Sequence, residues 1–209
     1  MPDFVFRLTQ LLLLAVIGLA VFGNAAIQKI RTGCSGFGLP DPRRVAHFLV
    51  DVFFWLAVTA WVAIGVLWFL RPGFLPRVLP LADPPSVAVQ ILGLLAALIG
   101  TALMVGGVVS LGMAFRTSVE HAERTRLVTS GIYRFCRNPI ALGLLLNGWG
   151  TALLTQTLAA AAVAALLHAG NRLRIFFEED HLRRTLGAHY EAYCARVGRF
   201  LPRRGTGPG

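Results

Sequence analysis

Charge is scarce in this sequence: 14% of its 209 residues are Asp, Glu, Lys or Arg, while 56% are hydrophobic. A soluble domain carries about 25% charged residues, so this chain lacks the polar surface to cover a water-exposed fold. Cysteine is scarce too. Cys34, Cys136 and Cys194 are odd in number and unevenly spaced, which excludes a disulfide framework and gives no metal-ligand pattern. The five histidines show no pairing at ligand spacing, so no metal site is expected. Lysine is all but missing, Lys29 standing alone among arginines. Ten acidic residues against twenty Lys and Arg leave a net charge of +10. No basic stretch is interleaved with aromatics as a base-stacking platform would be, so the excess points to membrane topology and away from nucleic acid.

Long apolar runs are what the chain has instead. Residues 8–26 carry no charge and are long enough to cross a hydrocarbon core of ~30 Å at ~1.5 Å per residue. They read as a first transmembrane helix, although the short basic start and Asn24, Ala25 and Ala26 also imitate a signal-peptide cleavage site. Residues 47–70 form a second window, broken by Asp51, carrying Trp55, Trp61 and Trp68, and stopped by Arg71-Pro72-Gly73. In the third, residues 84–115, Gly93, Gly100 and Gly107 recur at sevens and share a helical face suited to close helix packing.

Residues 138–171 contain no charge either, and as one straight helix they would run about 51 Å. That overshoots a bilayer. Thr155, Gln156 and Thr157 lie near the middle, so two short helices joined by a tight polar turn are expected. Charge asymmetry agrees. Five spans put seventeen Lys and Arg on one side against Arg7, Arg71 and Arg77 on the other, whereas four spans would leave eleven against nine. The expected fold is an all-α integral membrane bundle of about five transmembrane helices. It includes a C-terminal helical hairpin and is followed by a cytoplasmic C-terminal helix. The expected topology places the N-terminus outside and all three cysteines on the cytoplasmic side of a bacterial inner membrane.

Two polar segments flank the hairpin on that cytoplasmic side. One runs from Leu127 through Gly131, Tyr133 and Arg134 to Arg137-Asn138-Pro139, where Pro139 suits the first turn of a helix. The other runs from His168 through Asn171, Arg172 and Arg174 to Glu178-Glu179-Asp180-His181-Leu182, then to Gly187, Tyr190, Tyr193 and Arg199-Phe200-Leu201-Pro202. On a helix, His168, Arg172, Ile175 and Glu179 share one face, and Asn171, Arg174, Glu178 and Leu182 its neighbour. Taken alone, this is also what a solvated amphipathic helix looks like, with Arg–Glu pairs worth a few tenths of a kcal/mol each.

Together the two segments resemble the isoprenylcysteine carboxyl methyltransferase and phospholipid methyltransferase family. Its signature reads R-H-P-x-Y-x-G before a helical hairpin and E-E-x-x-L after it. Here the first is Arg137-Asn138-Pro139-Ile140-Ala141-Leu142-Gly143 and the second Glu178-Glu179-Asp180-His181-Leu182. Asn138 stands for the family His and Ala141 for the family Tyr. The resemblance covers about 117–202 and divides the chain into N-terminal helices (1–116), a methyltransferase-like region (117–202) and a disordered tail (203–209).

The resemblance implies S-adenosylmethionine as methyl donor and a lipophilic acceptor from the bilayer, among membrane lipids. That acceptor would be isoprenylcysteine carboxylate-like, a phospholipid amine or similar. Tyr133, Arg137, Asn138, Pro139, Glu178, Glu179 and Tyr190 become the expected cofactor-binding residues, and Arg137, Arg172 and Arg174 the expected catalytic ones. The Glu pair would accept from the donor's amine and ribose, while Arg137 and the helix start at Pro139 would receive its carboxylate. An anionic acceptor would be oriented by Arg172 or Arg174, which could equally bind lipid phosphate. An NADPH-dependent membrane reductase of the sterol-reductase type and a non-catalytic membrane protein are the alternative readings.

Overall fold

The computed structural model describes residues 2–32, 45–75, 80–81, 86–112 and 127–201. They form α1 (Pro2–Thr32), α2 (Val45–Leu70), α3 (Val87–Leu111), a 3-10 turn (Gly131–Arg134), α4 (Pro139–Thr155), α5 (Leu158–Leu186) and α6 (Ala188–Arg196). Cys34, Arg43, Arg44, Arg77, Arg116, Arg124, Arg126, the first ten residues of 117–202 and the tail 203–209 lie outside the described residues. The protein is an all-α integral membrane bundle. α1, α2 and α3 are each long and apolar enough to cross a membrane, and α4 is a shorter apolar helix.

The hairpin expected within 138–171 is α4 and α5, but its far arm does not stop at Asn171. α5 continues as one helix to Leu186, because residues 172–186 contain no Gly or Pro to break it, and Gly187, at φ +50°, ends it. Exposed Leu166, Leu173 and Phe176 carry its lipid-facing side past the charge-free window. Its first ~20 residues suffice to cross the bilayer, leaving Glu179 and the last turns of the helix outside.

α3 and α4 run antiparallel in the closest helix pair of the fold, with the glycine stripe at their contact. A Cβ on Gly93 would come within 2.8 Å of the Gly150 carbonyl oxygen, and one on Gly100 within 2.6 Å of the Gly143 carbonyl oxygen. Only hydrogen side chains let these backbones approach. The other seams are α2 on α5 and α1 against both α2 and α3.

A buried polar belt ties four helices together. Thr151 of α4 accepts from Gln10 Nε2 of α1 at 2.8 Å and from Trp61 Nε1 of α2 at 2.9 Å, while Thr101 of α3 donates to Asn147 Oδ1 at 3.3 Å. Lipid offers these groups no partners, so they find one another, each bond contributing about 0.6 kcal/mol.

The turn of the hairpin is polar as expected, yet it is buried. Thr155, Gln156 and Thr157 are all under 7% exposed. Gln156 sits in the left-handed region (φ 47°, ψ 47°), and its amide grips the Ser86 backbone twice: Nε2 donates to the Ser86 oxygen at 2.8 Å, and Oε1 accepts from the Ser86 nitrogen at 3.0 Å. The Gln156 carbonyl accepts from Leu81 N at 2.8 Å, and Pro80 and Thr157 form an isolated bridge. Non-helical backbone near membrane depth is tolerated because protein covers it. Lys29, Arg31, the 3-10 turn, the start of α4 and α6 gather at the opposite end of the bundle.

Candidate functional site

Pro139 opens α4, where a missing N–H costs nothing. The residue before it, Asn138, does not cap its own helix. Its Nδ2 crosses instead to Glu179 Oε1 on α5, 3.3 Å away, so the two halves of the signature meet although 40 residues separate them.

Glu179 is the hub of this end of the molecule, 1% exposed and enclosed by cations. Arg199 grips it with two bonds, Nε to Oε1 at 3.1 Å and Nη2 to Oε2 at 2.6 Å. Arg183 Nη2 lies 3.4 Å from Oε2 and Arg137 Nη2 3.6 Å from Oε1. Burial alone would raise this carboxyl, but Arg199, Arg137 and Asn138 outweigh it and hold it below the usual carboxylate range. Arg199 brings the C-terminal segment with it. Arg137 N donates to the Gly198 oxygen at 3.0 Å, Asn138 N to the Arg199 oxygen at 3.2 Å, and Cys136 Sγ to the same Arg199 oxygen at 3.4 Å. Residues 198–199 therefore lie as a strap across the entrance to α4.

α6 anchors that strap. Tyr190, Tyr193, Cys194 and Val197 form an apolar cluster with Leu127, Leu182 and Leu186, and the Tyr193 hydroxyl donates to the Tyr133 carbonyl at 2.7 Å. Burial pushes Tyr193 up to about 12, and raises the Cys136 thiol as well. Arg137 is mostly enclosed: one Nη contacts Cys194 Sγ, while its Nε is buried with no hydrogen-bond partner among the described residues.

Arg137, Asn138 with Pro139 next to it, and Tyr190 are thus brought together around the Glu179 carboxylate, while Tyr133 is held beside them through the Tyr193 hydroxyl. Glu178 differs from its neighbour. It is exposed and makes no hydrogen bond or ion pair among the described residues. The expected stripe of His168, Arg172, Ile175 and Glu179 splits, since Ile175 and Glu179 turn inward, as does Asn171 of the neighbouring stripe, while Arg172 is exposed, away from the hub. Asn171 Nδ2 donates to the Ala141 carbonyl at 2.8 Å, bracing the hairpin where the family Tyr is missing. Arg174 faces α2, its Nε 3.0 Å from Asp51 Oδ1 and its guanidinium 4.3 Å above the Phe54 ring.

Sequence reasoning gave no role to Arg199, Arg183 or Asp51. Asp51 carried a signal, as the one charge inside an apolar window, since an ionisable group in a membrane helix needs a partner. Arg199 carried none, because its pairing depends on α6 folding back.

The pattern of the phospholipid methyltransferase family matches residues 88–189. A probable protein-S-isoprenylcysteine O-methyltransferase of Oryza sativa subsp. indica is 32% identical over 117 residues, covering 54% of this chain and 61% of that protein. A cobalt-zinc-cadmium resistance protein of Cupriavidus metallidurans is 35% identical over 85 residues, 41% of this chain and 39% of its own length. Among solved structures, the eukaryotic intramembrane Ras methyltransferase ICMT shares the fold, with a TM-score of 0.62 and 21% identity over 95% of this chain and 66% of that one. The chain spans about three-fifths of the rice relative's length. The matched region runs from the glycine-striped α3 to the start of α6 and takes in both halves of the signature, so this part of the chain is similar to the isoprenylcysteine carboxyl methyltransferase and phospholipid methyltransferase family of membrane proteins.

Proposed function

We propose that the chain is an S-adenosylmethionine-dependent methyltransferase acting on a lipophilic acceptor, with its site within 117–202 on the cytoplasmic face of a bacterial inner membrane. The observation that carries this reading is the contact of Asn138 with Glu179, which assembles the two signature halves at a membrane exit. The residues suit the donor's zwitterionic end. Glu178 is an uncommitted carboxylate for its ammonium, and Arg137, with an unused Nε, and the first backbone N–H groups of α4 suit its carboxylate. Glu179, already saturated by Arg199, Arg137, Arg183 and Asn138, supports the site by fixing these elements. Tyr133 and Tyr190 wall it.

S-adenosylmethionine supplies a methyl group on a sulfonium, ready for in-line displacement. The chain then has only to align the acceptor and exclude water. Lateral entry from the bilayer suits the lipid-facing Leu166, Leu173 and Phe176 that lead up α5 toward Glu178. Calorimetric titration of the reconstituted protein tests the reading. S-adenosylmethionine should bind and NADPH should not, and the reverse result would favour a reductase. With donor bound, turnover should rise with acceptor chain length until partitioning saturates. Equal turnover of short polar acceptors at matched membrane concentration would rule out lateral entry.

A further inference from the structure

The 3-10 turn that leads toward α4 rests on the last turns of α3. Ile132 N donates to Ser110 Oγ at 3.4 Å, and a Cβ on Gly106 would meet Ile132 Cδ1 at 3.5 Å. About twenty helical residues cross the hydrocarbon core, so counting from Val87 the core ends near Gly106 and the turn sits at its boundary with water. Phe135, just past the turn, is held outward at that level, 54% exposed, and the Arg134 guanidinium lies 5.0 Å from its ring centre. The bonds from Arg137 N and Asn138 N to residues 198 and 199 bring a second exposed apolar side chain onto the same platform, Leu201 at 76%. Arg196, exposed at the end of α6, joins it. Neither Arg134 nor Arg196 pairs with a carboxylate among the described residues, since Arg134 is stacked on Phe135 and Arg196 Nε donates to its own helix at the Ala192 oxygen.

We infer that this platform is a docking surface for anionic lipid: Phe135 and Leu201 enter the head-group layer of the bilayer, and Arg134 and Arg196 meet the lipid phosphates. Apolar side chains held out of the fold where a span ends reach the bilayer surface without any protein partner, and aromatic rings favour that layer. Arg134 suits it as well, because its stem lies along an inserted ring while its charged head stays among the phosphates. The two unpaired cations fix the sign of the lipid. Each Arg near an anionic surface strengthens the attraction about fivefold, whereas a zwitterionic surface offers no such gain. An acidic protein would match the charges, but it would have to reach apolar tips that lie at bilayer level. Docking at Leu201 also pins the strap, whose residues 198–199 cross the entrance to α4. The surface does not depend on which reaction the chain performs.

The test uses the full chain in nanodiscs, in a Cys34→Ser background, with a fluorophore on Leu201→Cys and, as the water-facing control, on Arg184→Cys, whose native side chain is 78% exposed on the last turns of α5. Phosphatidylglycerol or phosphatidylcholine carrying a nitroxide at the head end of an acyl chain is added at matched bilayer fractions. The Leu201 label should be quenched and the Arg184 label spared, with phosphatidylglycerol favoured over phosphatidylcholine by about fivefold or more. Arg134→Gln with Arg196→Gln should bring that preference close to unity. The inference is overturned if the Leu201 label is quenched no more than the Arg184 label, which would turn the platform toward water and an acidic protein partner. It is overturned equally if the lipid preference survives loss of both arginines. Should Leu201→Cys not fold, the same label on Phe135→Cys gives the same readout. Quenching needs neither donor nor turnover, so failure to bind S-adenosylmethionine would sink the proposed activity while leaving this result readable.

Discussion

Two carboxylates adjacent in sequence have different surroundings, and their substitutions should separate accordingly. Glu178→Gln removes an uncommitted acceptor, so it should weaken S-adenosylmethionine binding by about 1.5–3 kcal/mol and leave the melting temperature unchanged. Glu179→Gln strips the charge that four side chains share, and should lower stability by about 1–3 kcal/mol. Calorimetric titration and thermal melting of both variants check this, and a Glu179→Gln protein that melts like the parent would refute the hub. The same residues set a pH window for the strap. Glu179 is held below the usual carboxylate range, so its contribution is full above pH ~4.3 and lost as pH falls through its lower folded value. Tyr193, raised to about 12, works in the opposite direction: its neutral phenol is favoured by folding, fully so below pH ~10, and the gain disappears as pH rises through about 12. Buried Cys136 and Cys194 report the opening. Their reaction with a thiol reagent in detergent should be slow at pH 7–8 and should accelerate between pH 10 and 12 beyond what thiol ionisation explains, relative to a denatured control.

The hairpin is the element on which the site depends, and its far end is held by a strained residue. A non-glycine residue in the left-handed region costs about 1 kcal/mol or more, a cost accepted here because Gln156 grips Ser86 with both ends of its amide. Gln156→Ala keeps the strain and loses the grip, so it should destabilise more than Gln156→Gly, which loses the grip but relieves the backbone. The order of their melting temperatures settles the point, and equal values would mean the strain is negligible. At the α3–α4 contact, Gly100→Ala would drive a methyl to within 2.6 Å of the Gly143 carbonyl oxygen, where only backbone movement can make room. It should cost about 1–3 kcal/mol as an overpacked contact, against almost nothing for Gly18→Ala, which has open space around it.

For the whole molecule, orientation is the property to measure. The two cysteines of the site are poor reporters of it in native protein, since both are buried whichever side they face. Exposed positions at the two ends serve better: Arg184, with a side chain 78% exposed, and exposed Arg71 at the other end of the bundle. In a Cys34→Ser background, a membrane-impermeant thiol reagent on intact cells should label Arg71→Cys and spare Arg184→Cys until lysis. Labelling of Arg184→Cys in intact cells would invert the topology.

The sequence by itself determined the class of fold, because a bilayer imposes a one-dimensional rule: apolar runs of sufficient length become spans, and the sum of basic residues orients them. It also determined the hairpin, since residues 138–171 are too long for one crossing, and the glycine stripe, since a period of seven is a property of one helix. Tertiary structure decided what depends on contacts between distant segments. Asp51 and Arg174 are 123 residues apart, and Arg199 reaches Glu179 only after α6 folds back. Periodicity put Glu178 and Glu179 side by side without distinguishing them. Packing made one a saturated anchor and left the other without a hydrogen bond or ion pair among the described residues, because charge-assisted bonds need partners that converge in space.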